Sequence, residues 1–175
     1  MRNDARDGVE VVLAWLAPCE DSRAAAHSLL RKLLGARLGE APASLCFQRG
    51  KHGKPALPGA RLQFSLSRSA GLAGYAFARG RSVGIDVEAI RPLADADAIA
   101  ARVFPRREYQ AYAALPACDR NAGFFRGWTR TEALAKAMGI GMGLSREALD
   151  AALDAGWVVR SLASAPGFAA ALAHA

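Results

Sequence analysis

At 175 residues, 52% of them hydrophobic, and with a formal net charge of +7, the chain holds enough apolar content for a buried core and is not a disordered protein. No apolar run approaches the ~18 residues of a membrane-spanning helix, and Asp4, Asp7 and Glu10 near the start are unlike a signal peptide, so a soluble, cytoplasmic protein with no membrane partner is expected. The positive charge asks for an anionic partner (nucleic acid, a phosphate-rich small molecule or an acidic protein), although an Arg-rich, Ala-rich base composition raises it too.

Val9–Leu16 is apolar and β-branched and reads as a buried strand closed by Pro18. Asp21 or Ser22 caps a helix to about Leu38, with Leu29, Leu30, Leu33, Leu34 and Leu38 on one side and Gly39 as its stop. Leu45–Gln48 is a brief strand. The loop Arg49-Gly50-Lys51-His52-Gly53-Lys54-Pro55 is basic and broken by glycines, which allow close backbone approach to a ligand, but it lacks P-loop spacing. His27, His52 and His174 have no acidic partner nearby and read as surface or packing residues. Cys19, Cys46 and Cys118 are odd in number and widely spaced, and read as reduced, buried thiols.

Leu62–Ser67 alternates apolar and polar residues, as a half-buried strand does. Leu72–Ala78 and Val83–Glu88 are two more strands, with Arg79-Gly80-Arg81-Ser82 read as a tight hairpin loop between them. Asp95 or Asp97 caps a helix to about Val103, and Pro105 opens a segment to Ala114 that carries Glu108. Asp119 or Asn121 opens a longer helix ending at Met138 before Gly139, with Phe124, Phe125, Trp128, Leu134 and Met138 in the core. Trp157–Leu162 is a strand. Phe168–His174 is helical by its alanines or a closing strand after Pro166-Gly167.

In Val83-Gly84-Ile85-Asp86-Val87-Glu88 the two carboxylates share one face of a strand, because side chains alternate. Either they are two solvated acids at a strand end, or a divalent cation relieves their repulsion in an all-oxygen site suited to magnesium. Glu132 and Lys136 are four apart, hence one turn apart on one helix face.

Three segments stand in order: Gly84-Ile85-Asp86-Val87-Glu88, Phe104-Pro105-Arg106-Arg107-Glu108, and Trp128-Thr129-Arg130-Thr131-Glu132-Ala133-Leu134-Ala135-Lys136. Upstream lie Gly53-Lys54-Pro55 and Ser67-Arg68-Ser69. Together they resemble the 4′-phosphopantetheinyl transferases, most closely the larger type that activates peptide and polyketide synthases. The resemblance spans about residues 50–143 and implies an α+β fold of two similar, pseudo-twofold lobes, each a small antiparallel sheet with a long helix: residues 1–70 for coenzyme A contacts and 71–175 for metal and catalysis.

The resemblance also implies transfer of phosphopantetheine from coenzyme A to a serine of an apo acyl or peptidyl carrier protein, by a monomer and without nucleic acid. Asp86, Glu88 and Glu132 would hold magnesium. Glu132, or a water it orients, would take the serine proton, Glu108 would hold metal-bound water, and Lys136 would neutralise the leaving phosphate. Lys54, Ser67, Arg68 and, more loosely, Arg31 would bind coenzyme A.

Three departures stand out. Thr131 replaces the family's Lys before the Glu, Arg68 replaces the His of S-H-S, and the chain is short for the larger type. Thr131 keeps open a member that binds coenzyme A or a carrier without transferring anything; the +7 charge keeps open a nucleic-acid binder.

Overall fold

The computed structural model describes residues 2–6, 8–17, 21–50, 53–60, 62–140 and 145–175. The strands are β1 (Arg2–Arg6), β2 (Val9–Trp15), β3 (Gln48–Arg49), β4 (Pro55–Ala56), β5 (Gln63–Ser69), β6 (Leu72–Ala78), β7 (Val83–Ala89), β8 (Val158–Ser161) and β9 (Phe168–His174). The helices are α1 (Ser22–Leu38), α2 (Ala96–Val103), α3 (Arg106–Ala113), α4 (Ala117–Met138) and α5 (Arg146–Asp154). One antiparallel sheet has the order β1-β2-β6-β5, the other β7-β9-β8, and β3-β4 is a short ribbon. The α+β expectation is met, with a long helix on the outer face of each sheet.

Strand alternation builds both faces of the first sheet. Val12 and Ala14 of β2, Phe64 of β5, and Ala73, Tyr75 and Phe77 of β6 are buried with Leu30 and Leu34 of α1. The alternate set, Val9, Val11 and Leu13 with Leu72, Ala76 and Ala78, packs on Val83, Ile85 and Val87 of β7 and on Ala170 and Leu172 of β9. All seven residues of β6 are therefore buried. Each fully buried aliphatic side chain here contributes about 1.5–3 kcal/mol. Gly74 sits at this interface because a Cβ there would stand 2.6 Å from Val87 Cγ2.

The helix α1 begins and ends as its residues dictate. The Asp21 carboxylate accepts from the Arg23 and Ala24 amides, and Gly39 closes the helix at φ 69°. Phe168–His174 resolves as a strand, paired along its whole length with β7.

Four readings are corrected. The Arg79–Ser82 turn is not a hairpin loop, since β6 pairs with β2 and β5 whereas β7 pairs with β9, so the chain crosses between sheets there. The strand read at Leu45–Gln48 is reduced to Gln48–Arg49. The long helix starts at Ala117 after Pro116, ahead of Asp119 and Asn121, because the fixed φ of proline suits a helix entry. Cys46 and Cys118 are exposed, not buried. His52, Lys51, Cys19 and the glycines at 141 and 143 lie outside the described residues.

Candidate active site

The site is built where β5, β7 and α4 meet. As the edge strand of its sheet, β7 presents one row of backbone groups to no neighbouring strand, and an unpaired edge needs partners. The serines of β5 supply them. Ser65 Oγ accepts from the Ile85 amide at 3.1 Å, and Ser69 Oγ accepts from the Ala89 amide at 3.1 Å. Between them Ser67 Oγ donates to Asp86 Oδ1 at 2.7 Å, and Ser69 Oγ also donates to Glu88 Oε2 at 2.9 Å. Ser65, Ser67 and Ser69 thus form a ladder, at alternate positions, that stitches one sheet to the other.

From the other side α4 closes on β7. A Cβ at Gly84 would lie 2.0 Å from the Ala133 carbonyl and 2.4 Å from the Ala137 amide, so only glycine permits this approach. Ala169, Ala171 and Ala173 of β9 keep the remaining surface under the helices low. The approach brings Lys136 Nζ to 2.6 Å from Asp86 Oδ1 and 3.0 Å from Ser67 Oγ. The Asp86 side chain is only 4% exposed. Its Oδ2 is buried without a hydrogen-bond partner, which in a native interior calls for an explanation.

Glu132 stands one turn before Lys136. Its carboxyl is pushed above the usual range, first by burial and then by the charge of Asp86, an effect that Lys136 opposes and Glu88 adds to. Among the described residues, no three His, Cys, Asp or Glu side chains are drawn tightly enough together to enclose a metal as they stand, Lys136 being seated on Asp86. The donor set nevertheless fits a hard divalent cation. It offers an unpartnered buried oxygen on Asp86 and a carboxylate on Glu132 whose charge is disfavoured by two other carboxylates.

Beside this seam lies a cleft of 510 Å³ between α1, the β3-β4 ribbon, β5 and the end of α4. Leu30, Phe47, Phe64 and Leu66 give it apolar walls, and Arg23, Arg49, Lys54 and Lys136 bring four cationic side chains to it. Ser65 and Lys136 line it and also belong to the seam, so the cleft opens onto the carboxylates. His27 also lines it, held below its ordinary pKa by burial and by Arg23 and Arg68. Lys54 Nζ donates to the carbonyls of Val83 (2.8 Å) and Lys136 (2.7 Å), and burial together with Lys136 lowers its pKa to about 8.

Five residues singled out from sequence therefore converge, namely Asp86, Glu132, Lys136, Ser67 and Lys54, and Glu88 adjoins them through Ser69. Three do not join the carboxylate seam. Arg68 leaves β5 on the face opposite Ser67, the side of the cleft walls Phe64 and Leu66, where it donates to Ser22 Oγ at 3.1 Å and helps lower the pKa of His27. Arg31 donates to the Ala43 and Leu45 carbonyls and stacks over Phe47, 5.0 Å from the ring centroid. Glu108 makes a bidentate pair with Arg130, which also donates to Ser161. Arg130 and Glu132 are two positions apart, about 200° around a helix, so that pair faces away from Glu132. Thr131 is 3% exposed and its hydroxyl donates back to the Gly127 carbonyl, so it presents nothing to the site.

Sequence reasoning passes over Ser65 and Ser69 as site groups, although their alternation with Ser67 is visible, and over His27. The basic residues of the first helix and of the loop from Arg49 are legible as possible phosphate contacts, but only the folding of α1 against the ribbon brings Arg23 and Arg49 to one cleft.

The chain is similar to known proteins over part of its length. Residues 82–163, which hold β7, α4 and the segments between, match the family model of the 4′-phosphopantetheinyl transferase superfamily. The chain is 41% identical over 123 residues to the 4′-phosphopantetheinyl transferase HetI of a Nostoc species, covering 67% of this chain and 52% of that protein. It is 37% identical over 91 residues to the 4′-phosphopantetheinyl transferase AcpT of Salmonella typhimurium, covering 51% and 47%. The chain thus spans about half the length of the curated relatives it matches. On the family-model match and the similarity to these transferases, the chain belongs to the 4′-phosphopantetheinyl transferase superfamily.

Proposed function

We propose that this protein transfers 4′-phosphopantetheine from coenzyme A to a serine of an apo acyl or peptidyl carrier protein and releases 3′,5′-ADP. The observation that carries the reading is the junction of the cationic cleft with a buried carboxylate, Asp86, whose second oxygen is unpartnered. Coenzyme A is a polyanion with an aromatic base, and a cleft lined by the exposed Arg23 and Arg49 together with Phe47 and Phe64 is complementary to it.

In the reaction the carrier serine oxygen bonds to the β-phosphorus, and the bond from that phosphorus to the oxygen bridging to 3′,5′-ADP breaks. Asp86, Glu88 and Glu132 would hold magnesium, which would supply charge neutralisation and Lewis-acid polarisation at the pyrophosphate. Glu132, whose proton affinity is raised, accepts the serine proton, directly or through a water it orients. Lys136 places its ammonium where negative charge grows on the leaving phosphate. Ser67 fixes the Asp86 carboxylate. Arg23 and Arg49 grip coenzyme A phosphates in the cleft, with Arg68 beside His27 at its edge. The first lobe serves as the grip and the second as the reaction centre, one chain making one site in the cytoplasm.

A second reading, a binder without transfer, draws on Thr131, since the family's cation is absent at that position and Arg130 is committed to Glu108. Incubation with coenzyme A, magnesium and apo carriers, followed by chromatography for 3′,5′-ADP, separates the two. Release that requires the carrier supports transfer. Retention of coenzyme A with no release supports the binder.

A further inference from the structure

The lysine of Gly53-Lys54-Pro55 looks from sequence like a phosphate ligand, but its geometry is that of a structural cross-tie. Its main chain is anchored in the first lobe, where the Gly50 amide donates to the Lys54 carbonyl at 2.9 Å and Gly53 turns the chain at φ 79°. Its side chain crosses to the second lobe and ends on two main-chain acceptors, Val83 O at 2.8 Å and Lys136 O at 2.7 Å. The first opens β7 one residue before Gly84. The second lies in the last turn of α4, whose carbonyls have no amide partner within the helix, and the Gly139 amide of the cap also reaches it at 3.3 Å. A cation at a helix C-terminus is also favoured by the helix dipole.

We infer that Lys54 is a positioning residue: it pins the last turn of α4 to the start of β7 and so fixes where Lys136 and Glu132 stand relative to Asp86. The pin lies beside the tightest contact in the site, where a Cβ on Gly84 would meet the Ala137 amide at 2.4 Å. Lys136 is the residue whose backbone is held and whose Nζ sits on Asp86 and Ser67. Two of the three Lys54 N–H groups are used on carbonyls, so its principal act is on the protein and not on the nucleotide. The ribbon of the first lobe thereby sets the reaction geometry of the second.

The inference uses the transferase reading for its kinetic test and needs a separate test of structure. Lys54→Met keeps the apolar stem and removes the donors; Lys54→Arg keeps donors and charge. The account predicts that Lys54→Met lowers kcat at least tenfold while the KM for coenzyme A moves less than threefold, and that Lys54→Arg recovers most of kcat. It also predicts at least tenfold faster hydrogen exchange at the α4 amides of residues 135–138 in Lys54→Met, with α1 unchanged. A tenfold rise in KM with unaltered kcat and unaltered exchange would overturn it, leaving Lys54 a phosphate ligand. Should the wild-type protein transfer nothing, the exchange result alone decides the pin, and the transferase reading fails separately.

Discussion

The carboxylate seam and the cationic cleft adjoin, yet they are built on opposite plans. In the seam each group is fixed by another: Ser67 and Lys136 on Asp86, Ser69 on Glu88, and the α4 backbone on Gly84, with one oxygen of Asp86 left over. In the cleft Arg23 and Arg49 are exposed side chains on α1 and β3 that approach the same space from separate elements. The difference teaches where precision is required. For the function proposed above, phosphoryl transfer tolerates little displacement of the groups around phosphorus, whereas holding a flexible polyanion needs charge more than angle.

Substitutions in the seam should therefore act on kcat and on folding, and substitutions in the cleft on KM. The largest effect is expected from Gly84→Ala, whose methyl would overlap the Ala133 carbonyl, itself main chain that cannot yield; a loss of about 3 kcal/mol in stability by urea unfolding is predicted. Glu132→Gln should lower transfer by about a hundredfold or more, as loss of a general base does. The same change should raise the melting temperature of the metal-free protein at neutral pH. The sign follows from the raised carboxyl: the folded state holds that proton more tightly than the unfolded chain, so stability falls as pH rises through the folded pKa, and a neutral amide escapes the fall. A lower melting temperature for Glu132→Gln would contradict the electrostatic picture of the site.

Arg23→Ala and Arg49→Ala should each raise the KM for coenzyme A about tenfold, steeply with salt, while kcat holds, as steady-state rates at several ionic strengths would report. Lys54 provides a pH test. Its pKa is about 8 in the fold, against the ordinary lysine value of 10.5. The unfolded chain therefore binds the proton more tightly, and this contribution to stability increases as pH rises from about 8 to 10.5. The melting temperature of wild type minus that of Lys54→Met should grow across that window; a flat difference would sink the assignment. The smallest effect belongs to Thr131→Val, which should leave turnover within about twofold because the hydroxyl is spent on Gly127.

Local signals carried much of this. Asp21, the leucine period and Gly39 bound α1, and alternation at Leu62–Ser67 marked β5. The order of the Asp86, Glu132 and Lys136 segments located the seam. Pairing over long separations was not local and was not read: a short basic glycine turn looks the same whether its strands pair or part, and β7 finds its partner in β9, with Asp86 opposite Ala171. Helix α5 was passed over although Ser145 caps it and Leu149 and Ala152 are buried. Ser67 and Arg68, neighbours on one strand, face opposite sides: Ser67 meets Asp86, and Arg68 meets Ser22 of α1. Arg23 and Arg49 were unreadable as partners because nothing in the intervening residues states where the ribbon will fold.

The central claim is tested most directly by the intact mass of apo carrier proteins, from fatty-acid and peptide synthases, after incubation with this protein, coenzyme A and magnesium. The account predicts a gain of one phosphopantetheine on at least one carrier, abolished by Asp86→Ala. No gain on any carrier, or an equal gain with Asp86→Ala, would contradict it.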